Sequence, residues 1–403
     1  MEKFVLNNGV RLLYEHRESY VTSFCIGFEA GANAEVGFKL GTAHALEHML
    51  FKGTTTLDED EINLKCDRLL GFNNAMTNFP YCIYYGTSSN EDFVEAFSLY
   101  ADIILNPALS EAGFKEEMEV IIQEFNEWKE DFSQYCEDEL FYNSYERKRL
   151  KDIIIGTESS IKEIHIDDLK RFYKKYYVPE NCVISVVTSI SFEDIKTVVE
   201  NIFSNFKGEY SKAVDNSESI SSGLYYKEVS GFEGAKIQYI YDISMLDAKE
   251  VEALRIFNMW FGEGVSSRLF DKVRTKGGLA YEIFSAVKNE ANIKLLSINC
   301  STSKNSVDRC LNIIDLLVDN VVGDFNTLTQ ADINYLIKRL KLKRALELEK
   351  SIVLANRLTI YELMYKRGKM VFDELEFEYE ISKKDIINVI KKVFVNPSKQ
   401  VLW

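Results

Sequence analysis

Four histidines occur among the 403 residues, at positions 16, 44, 48 and 165. Two of them stand four apart in His44-Ala45-Leu46-Glu47-His48, with a carboxylate between them. Random placement of so few histidines seldom yields that arrangement. On a helix, His44 and His48 project from one face one turn apart, close enough to share one metal ion. Glu47 lies three residues after His44 on nearly the same face. There it can reach a water on the ion without being a ligand. The chemistry this suits is metal-assisted hydrolysis. A pair of solvated histidines on an amphipathic helix fits the pattern less well.

Two imidazoles need a third protein ligand if a catalytic site is to keep one position for water. A helical pattern starting near Ser110 offers candidates. Phe114, Met118, Ile121, Ile122 and Phe125 mark its apolar face. Glu117 and Glu124 stand two turns apart on one stripe at the edge of that face, with Ile121 between them. Carboxylates there are costly unless compensated, and a divalent cation held with two histidines would compensate them. Glu116, Glu119, Glu127 and Glu130 also crowd this helix. Periodicity alone therefore leaves a solvated acidic face equally open.

Other elements must position these groups. Asn8-Gly9, between two apolar runs, predicts a hairpin with a two-residue type I′ turn. Strands are expected over 20–30, 81–87 and 181–188. Helices are expected over 59–70, closed by Gly71 at a C-cap, over 92–105, and over 191–206 with Ser191 as N-cap. Residues 214–223, rich in Ser, Asn and Gly, are the most linker-like stretch in the chain. The linker lies near the middle, and the two halves repeat. Asp168-Leu169 with Tyr173 to Val178 matches Asp385-Ile386 with Ile390 to Val395 at an offset of about 217, and Leu109-Ser110 matches Leu328-Thr329 at about 219. Two tandem α+β domains are the natural reading: 1–210, a linker at 211–223, and 224–403. At an offset of 217, His44, Glu47 and His48 fall on Phe261, Gly264 and Val265, and Glu124 falls on Lys341, or on Lys343 at 219. One half is thus expected to bind metal and the other to have lost the ligands.

Composition removes several classes. The chain carries 48 basic and 63 acidic residues, a formal charge of −15, a poor field for nucleic acid. No apolar run approaches the roughly 18 residues of a membrane span. An acidic N-terminus with no apolar leader segment argues for a cytoplasmic protein. Seven cysteines without paired spacing suggest free thiols in a reducing compartment. His16 and His165 have no recognisable partners and read as ordinary surface or core residues.

The segment Gly41-Thr42-Ala43-His44-Ala45-Leu46-Glu47-His48-Met49-Leu50-Phe51-Lys52-Gly53-Thr54 resembles the M16 family of zinc metallopeptidases, which carries the inverted zincin motif HxxEH. The resemblance extends over nearly the whole chain. It includes Val120-Ile121-Ile122-Gln123-Glu124, Asn74-Ala75-Met76-Thr77, Gly262 to Phe270, Arg274, and Gly278-Leu279-Ala280-Tyr281. The fold it implies is two homologous domains, each a mostly antiparallel sheet packed with helices, as in LuxS and mitochondrial processing peptidase.

For the site, the resemblance implies one Zn²⁺ per chain, held by His44, His48 and Glu124, with Glu47 as general base and Glu117 as a supporting acid. Asn74 and Ala75 fall on an edge strand that pairs with extended substrate, and Arg274 and Tyr281 reach towards the reacting peptide. The family encloses a chamber with four such domains, so a homodimer or a heterodimer with a relative is implied. The expected activity is endopeptidase cleavage of peptides or unfolded segments. A dedicated precursor-processing protease and a non-catalytic subunit are the alternatives within the family. A LuxS-type lyase, a single short domain, is disfavoured by the repeat.

Overall fold

The computed structural model describes residues 1–146, 149–210, 220–376 and 379–403. The expected linker at 211–223 lies largely outside them. The chain forms two compact units. The first comprises the described residues of 1–126, 152–215 and 347–376, and the second those of 127–151, 216–346 and 377–403. Relative to the halves 1–210 and 224–403, the units interleave: 127–151 counts with the second unit and 347–376 with the first.

The first unit is built on a six-stranded sheet ordered β1 (Glu2–Val5), β2 (Arg11–His16), β6 (Cys182–Thr188), β3 (Val21–Phe28), β5 (Cys82–Ser89) and β4 (Leu70–Thr77). Only β2 and β6 run parallel. Strand periodicity splits the side chains between two faces. Phe24, Ile26, Phe28, Leu12, Tyr14, Tyr84 and Ile184 enter one core. Leu13, Cys25, Ile83, Val183 and Val187 enter another, beneath the helix Ser351–Tyr365. All seven residues of β6 are buried, as a strand covered on both faces requires. Thr359 of the covering helix hydrogen-bonds Ser185 of β6 at 2.7 Å.

The second unit repeats the plan with five strands: β7 (Gly223–Lys227), β11 (Ser398–Leu402), β8 (Gly234–Asp242), β10 (Lys294–Ser303) and β9 (Ala280–Asn289). Its parallel pair, β7 and β11, again joins an early strand to the last one. Two sheets of one topology agree with the α+β repeat expected from the sequence.

Local expectations met mixed outcomes. Four helices are labelled α1 (Thr42–Leu50), α2 (Glu59–Leu69), α3 (Phe93–Leu105) and α4 (Phe114–Trp128). Asp58 caps α2 in a capping box with Glu61. Gly71 does not close it: Leu70 turns extended and the chain enters β4 directly. The first hairpin is not a type I′ turn. Asn8 keeps a negative φ and only Gly9 is left-handed, at +98°. Gly9 N–H donates to the Leu6 carbonyl, and Leu6 N–H to that of Val10. The result is a three-residue loop with glycine in its left-handed place. Ser191 caps the helix Phe192–Phe203 by accepting from Asp194 N–H. None of the described helices is long and apolar enough to cross a membrane.

Candidate metal centre

The helix α1 holds the motif because its other residues anchor it. Ala43, Ala45, Leu46, Met49 and Leu50 are buried in the core, which leaves His44, Glu47 and His48 half-buried on the remaining face. Its N-cap is Gly41 at φ +89°, where a Cβ would come within 2.3 Å of the Ile155 carbonyl oxygen. The free first-turn N–H of Ala43 donates to the buried Glu35 at 2.9 Å. That carboxylate does the work of a missing side-chain cap.

The long acidic helix begins at Phe114. It brings Glu124 to the two imidazoles: Glu124 Oε2 is 3.4 Å from His48 Nε2 and 3.9 Å from His44 Nε2. Ligands about 2.0–2.1 Å from a tetrahedral zinc stand roughly 3.3 Å apart. The donor atoms of the triad all lie within 4.8 Å of one another, so they can draw together on one ion. His44, His48 and Glu124 form the one group of three His, Cys, Asp or Glu side chains, among the described residues, that converges in this way. The donor set of two imidazoles and one carboxylate suits zinc and leaves a fourth position open.

Glu117 is buried one step behind. Its Oε1 is 2.7 Å from His48 Nδ1, which directs the other ring nitrogen, Nε2, towards Glu124. Its Oε2 is 2.8 Å from Lys52 Nζ. Glu47 does not join the ligand triad. Its Oε2 accepts a hydrogen bond from the Thr77 hydroxyl at 2.5 Å.

The charges are strongly coupled. Burial alone disfavours the charged form of His48, but hydrogen bonds to Glu117 and then Glu124 outweigh it and lift its pKa to about 10. Glu117 is lowered to about 2, chiefly by the hydrogen bond from His48. Burial, then the charge of His48, push His44 down to about 4. The hydrogen bond with His48 also lowers Glu124. Burial raises Glu47, with the Thr77 hydrogen bond opposing it. The carboxylates thus favour a proton on His48 in the metal-free site, and metal binding, which needs the neutral imidazole, competes with it.

The remaining candidates lie elsewhere in the fold. Asn74 and Ala75 are on β4 at the edge of the first sheet, with Ala75 N–H donating to the Asn74 side chain at 2.8 Å. Arg274 and Tyr281 belong to the second unit. Arg274 lies in the π-helical segment Phe270–Thr275, its guanidinium 4.7 Å from the Phe270 ring centroid. Tyr281 is an exposed residue of β9, the corresponding edge of the second sheet. Lys52, Thr77 and Glu35 were given no role from sequence. Lys52 follows His48 by four residues, the one local signal available.

The second unit has its own helix pair, Ala248–Phe261 and Gln330–Glu347. It is joined by ion pairs. Glu252 receives both terminal nitrogens of Arg344, at 2.8 and 2.9 Å, and Arg255 at 2.9 Å. Lys343 pairs with Glu263. Phe261 is fully buried, and Gly264 and Val265 lie beyond the helix end.

Comparison with known proteins agrees with this geometry. The family description "Insulinase (Peptidase family M16)" matches residues 11–158, and "Peptidase M16 inactive domain" matches 163–340. A Rickettsia bellii protein named "Uncharacterized zinc protease" is 31% identical over 313 residues, 75% of this chain and 74% of its own. A Bacillus subtilis protein named "Uncharacterized zinc protease YmxG" is 29% identical over 321 residues, 77% of this chain and 75% of its own. The crystal structure of a protease from Helicobacter pylori has the same fold, with a TM-score of 0.90 at 22% identity, covering 100% of this chain and 99% of the other.

Proposed function

The chain belongs to peptidase family M16, and from that premise we propose that it is a zinc-dependent endopeptidase acting on peptides or unfolded segments. The observation that carries this reading is the convergence of His44, His48 and Glu124 beside a glutamate that is not a ligand. In the proposal those three residues hold one Zn²⁺ per chain. A bound zinc ion supplies a water of pKa near ~7 and polarises the scissile carbonyl.

The chain's own groups do the rest. Glu47, held by Thr77, takes the proton of the attacking water and later hands it to the leaving amine. Its raised pKa suits both transfers. Glu117 orients His48. Backbone groups around Asn74 and Ala75 on β4 pair with an extended substrate, so selection reads main chain rather than sequence. Arg274 and Tyr281 hold the peptide or its developing oxyanion. Residues 1–210 form the catalytic domain and 224–403 its homologue without ligands. A second chain, identical or related, completes an enclosing chamber. Seven buried, unpaired thiols suit a reducing compartment, the cytoplasm.

The test uses a library of unstructured peptides. Wild type should cleave them, a chelator should stop cleavage, and zinc should restore it. Glu47→Gln should keep the metal yet lose activity. Cleavage by Glu47→Gln at the wild-type rate would refute the assignment and favour another centre. Cleavage restricted to one precursor sequence would instead mark a dedicated processing enzyme.

A further inference from the structure

We infer that Lys52 is a positioning residue of the metal centre, acting through Glu117 on His48; the inference rests on the reading of His44, His48 and Glu124 as the ligands. Lys52 leaves the end of α1 four residues after His48 and turns back beside the start of α4. Its ammonium is 2.8 Å from Glu117 Oε2 and 2.8 Å from Glu59 Oε1 in the first turn of α2. Three helices are thereby tied through one nitrogen.

The geometry gives this a consequence at the metal. A carboxylate has two oxygens in one plane, so fixing one sets the direction of the other. Lys52 fixes Oε2 of Glu117, and Oε1 then meets His48 Nδ1 at 2.7 Å. That contact sets the ring's tautomer and rotation, and with them the direction of the Nε2 lone pair. Charge points the same way. Glu117 is only 8% exposed, and a buried carboxylate needs a compensating cation. A zinc-bound imidazole is neutral, so Lys52 is the protein cation beside Glu117 in the loaded site. Glu59, about half exposed, meets Lys52 from the solvent side.

The test measures metal, not proteolysis. Zinc affinity is read by competition with a chromophoric chelator, and ligand geometry by the visible spectrum of the cobalt-substituted protein. Lys52→Met should weaken zinc roughly 10- to 100-fold, the size usual for removing an outer-shell partner, and alter the cobalt bands. Lys52→Arg should restore most of the affinity. Lys52→Gln stands in for Lys52→Met should the latter not fold. In a Glu117→Gln background, Lys52→Met should add little, because its route is already cut. Wild-type affinity and spectrum in Lys52→Met overturn the inference, as do additive losses in the double variant. A wild-type protein that takes up no zinc overturns the ligand assignment itself, a different result from an unaffected lysine variant.

Discussion

Thr77 donates its hydroxyl to Glu47 Oε2 across 2.5 Å, joining the edge strand β4 to the helix that carries the metal motif. The strand proposed to pair with substrate and the proposed base are thus one hydrogen bond apart. Thr77→Val keeps the shape and removes the donor. It should lower kcat roughly 10- to 100-fold, the scale of a misplaced catalytic group, with KM and zinc content unchanged. Thr77→Ser should recover most of the rate. Steady-state kinetics on one peptide decides this, and an unchanged kcat for Thr77→Val contradicts it.

Metal content should separate the carboxylates by role. Glu124→Ala removes a ligand and should leave the protein largely zinc-free after dialysis. Glu47→Gln should retain one zinc per chain while losing about 10²- to 10⁴-fold in rate. Elemental analysis after gel filtration measures both. Equal zinc loss in the two variants would make Glu47 a ligand.

The metal-free site should show a defined pH window of stability. His48 has a folded pKa of about 10, above its unfolded value of roughly 6.5, so its contribution is complete below about 6.5 and fades as pH rises through 10. Glu117 lies at about 2, below its unfolded value of roughly 4.3, so its contribution is complete above that value and fades as pH falls through 2. The pair therefore stabilises most between about pH 4.5 and 6.5. Chelator-treated wild type and Glu117→Gln should differ most in Tm inside that window and converge towards pH 10. A difference that grows steadily with alkalinity would be inconsistent with the ion pair.

In the second unit, Glu252 and Arg344 are both buried, at 7% and 5% exposure. Glu252 faces both Arg344 and Arg255, so Glu252→Met, which takes the carboxylate from two guanidinium groups, should cost about 3–5 kcal/mol, more than Arg344→Met, after which Arg255 still faces Glu252. Glu252→Met with Arg344→Met should cost less than Glu252→Met alone, because the more deeply buried of the two guanidinium groups is then gone as well. Urea unfolding of the three variants measures it, and a double variant weaker than either single one would argue against the pairing.

The local part of the metal motif was readable from the chain. His44 and His48 meet because a helix repeats every 3.6 residues, and Ala45, Leu46 and Met49 fix which face is left over. The capping residue Ser191 was legible for the same reason, since its bond spans three residues. The Asn8-Gly9 turn and the end of α2 at Leu70 went astray on balances of one residue, where neighbouring strands decide. The 217-residue repeat announced two sheets of one plan, because each copy must build its own core.

Glu124 could not be chosen over its acidic neighbours by period alone, and needed family resemblance. Glu117 met His48 and Lys52 only through contacts between helices distant in sequence. Thr77 reached Glu47 only once β4 lay beside α1. The helix Ser351–Tyr365 packs on a sheet whose strands end more than 150 residues earlier, and nothing in its own pattern names that sheet. Short-range order follows from backbone geometry and can be read along the chain. Which oxygen faces which nitrogen depends on packing between distant segments, and that was decided by the tertiary fold.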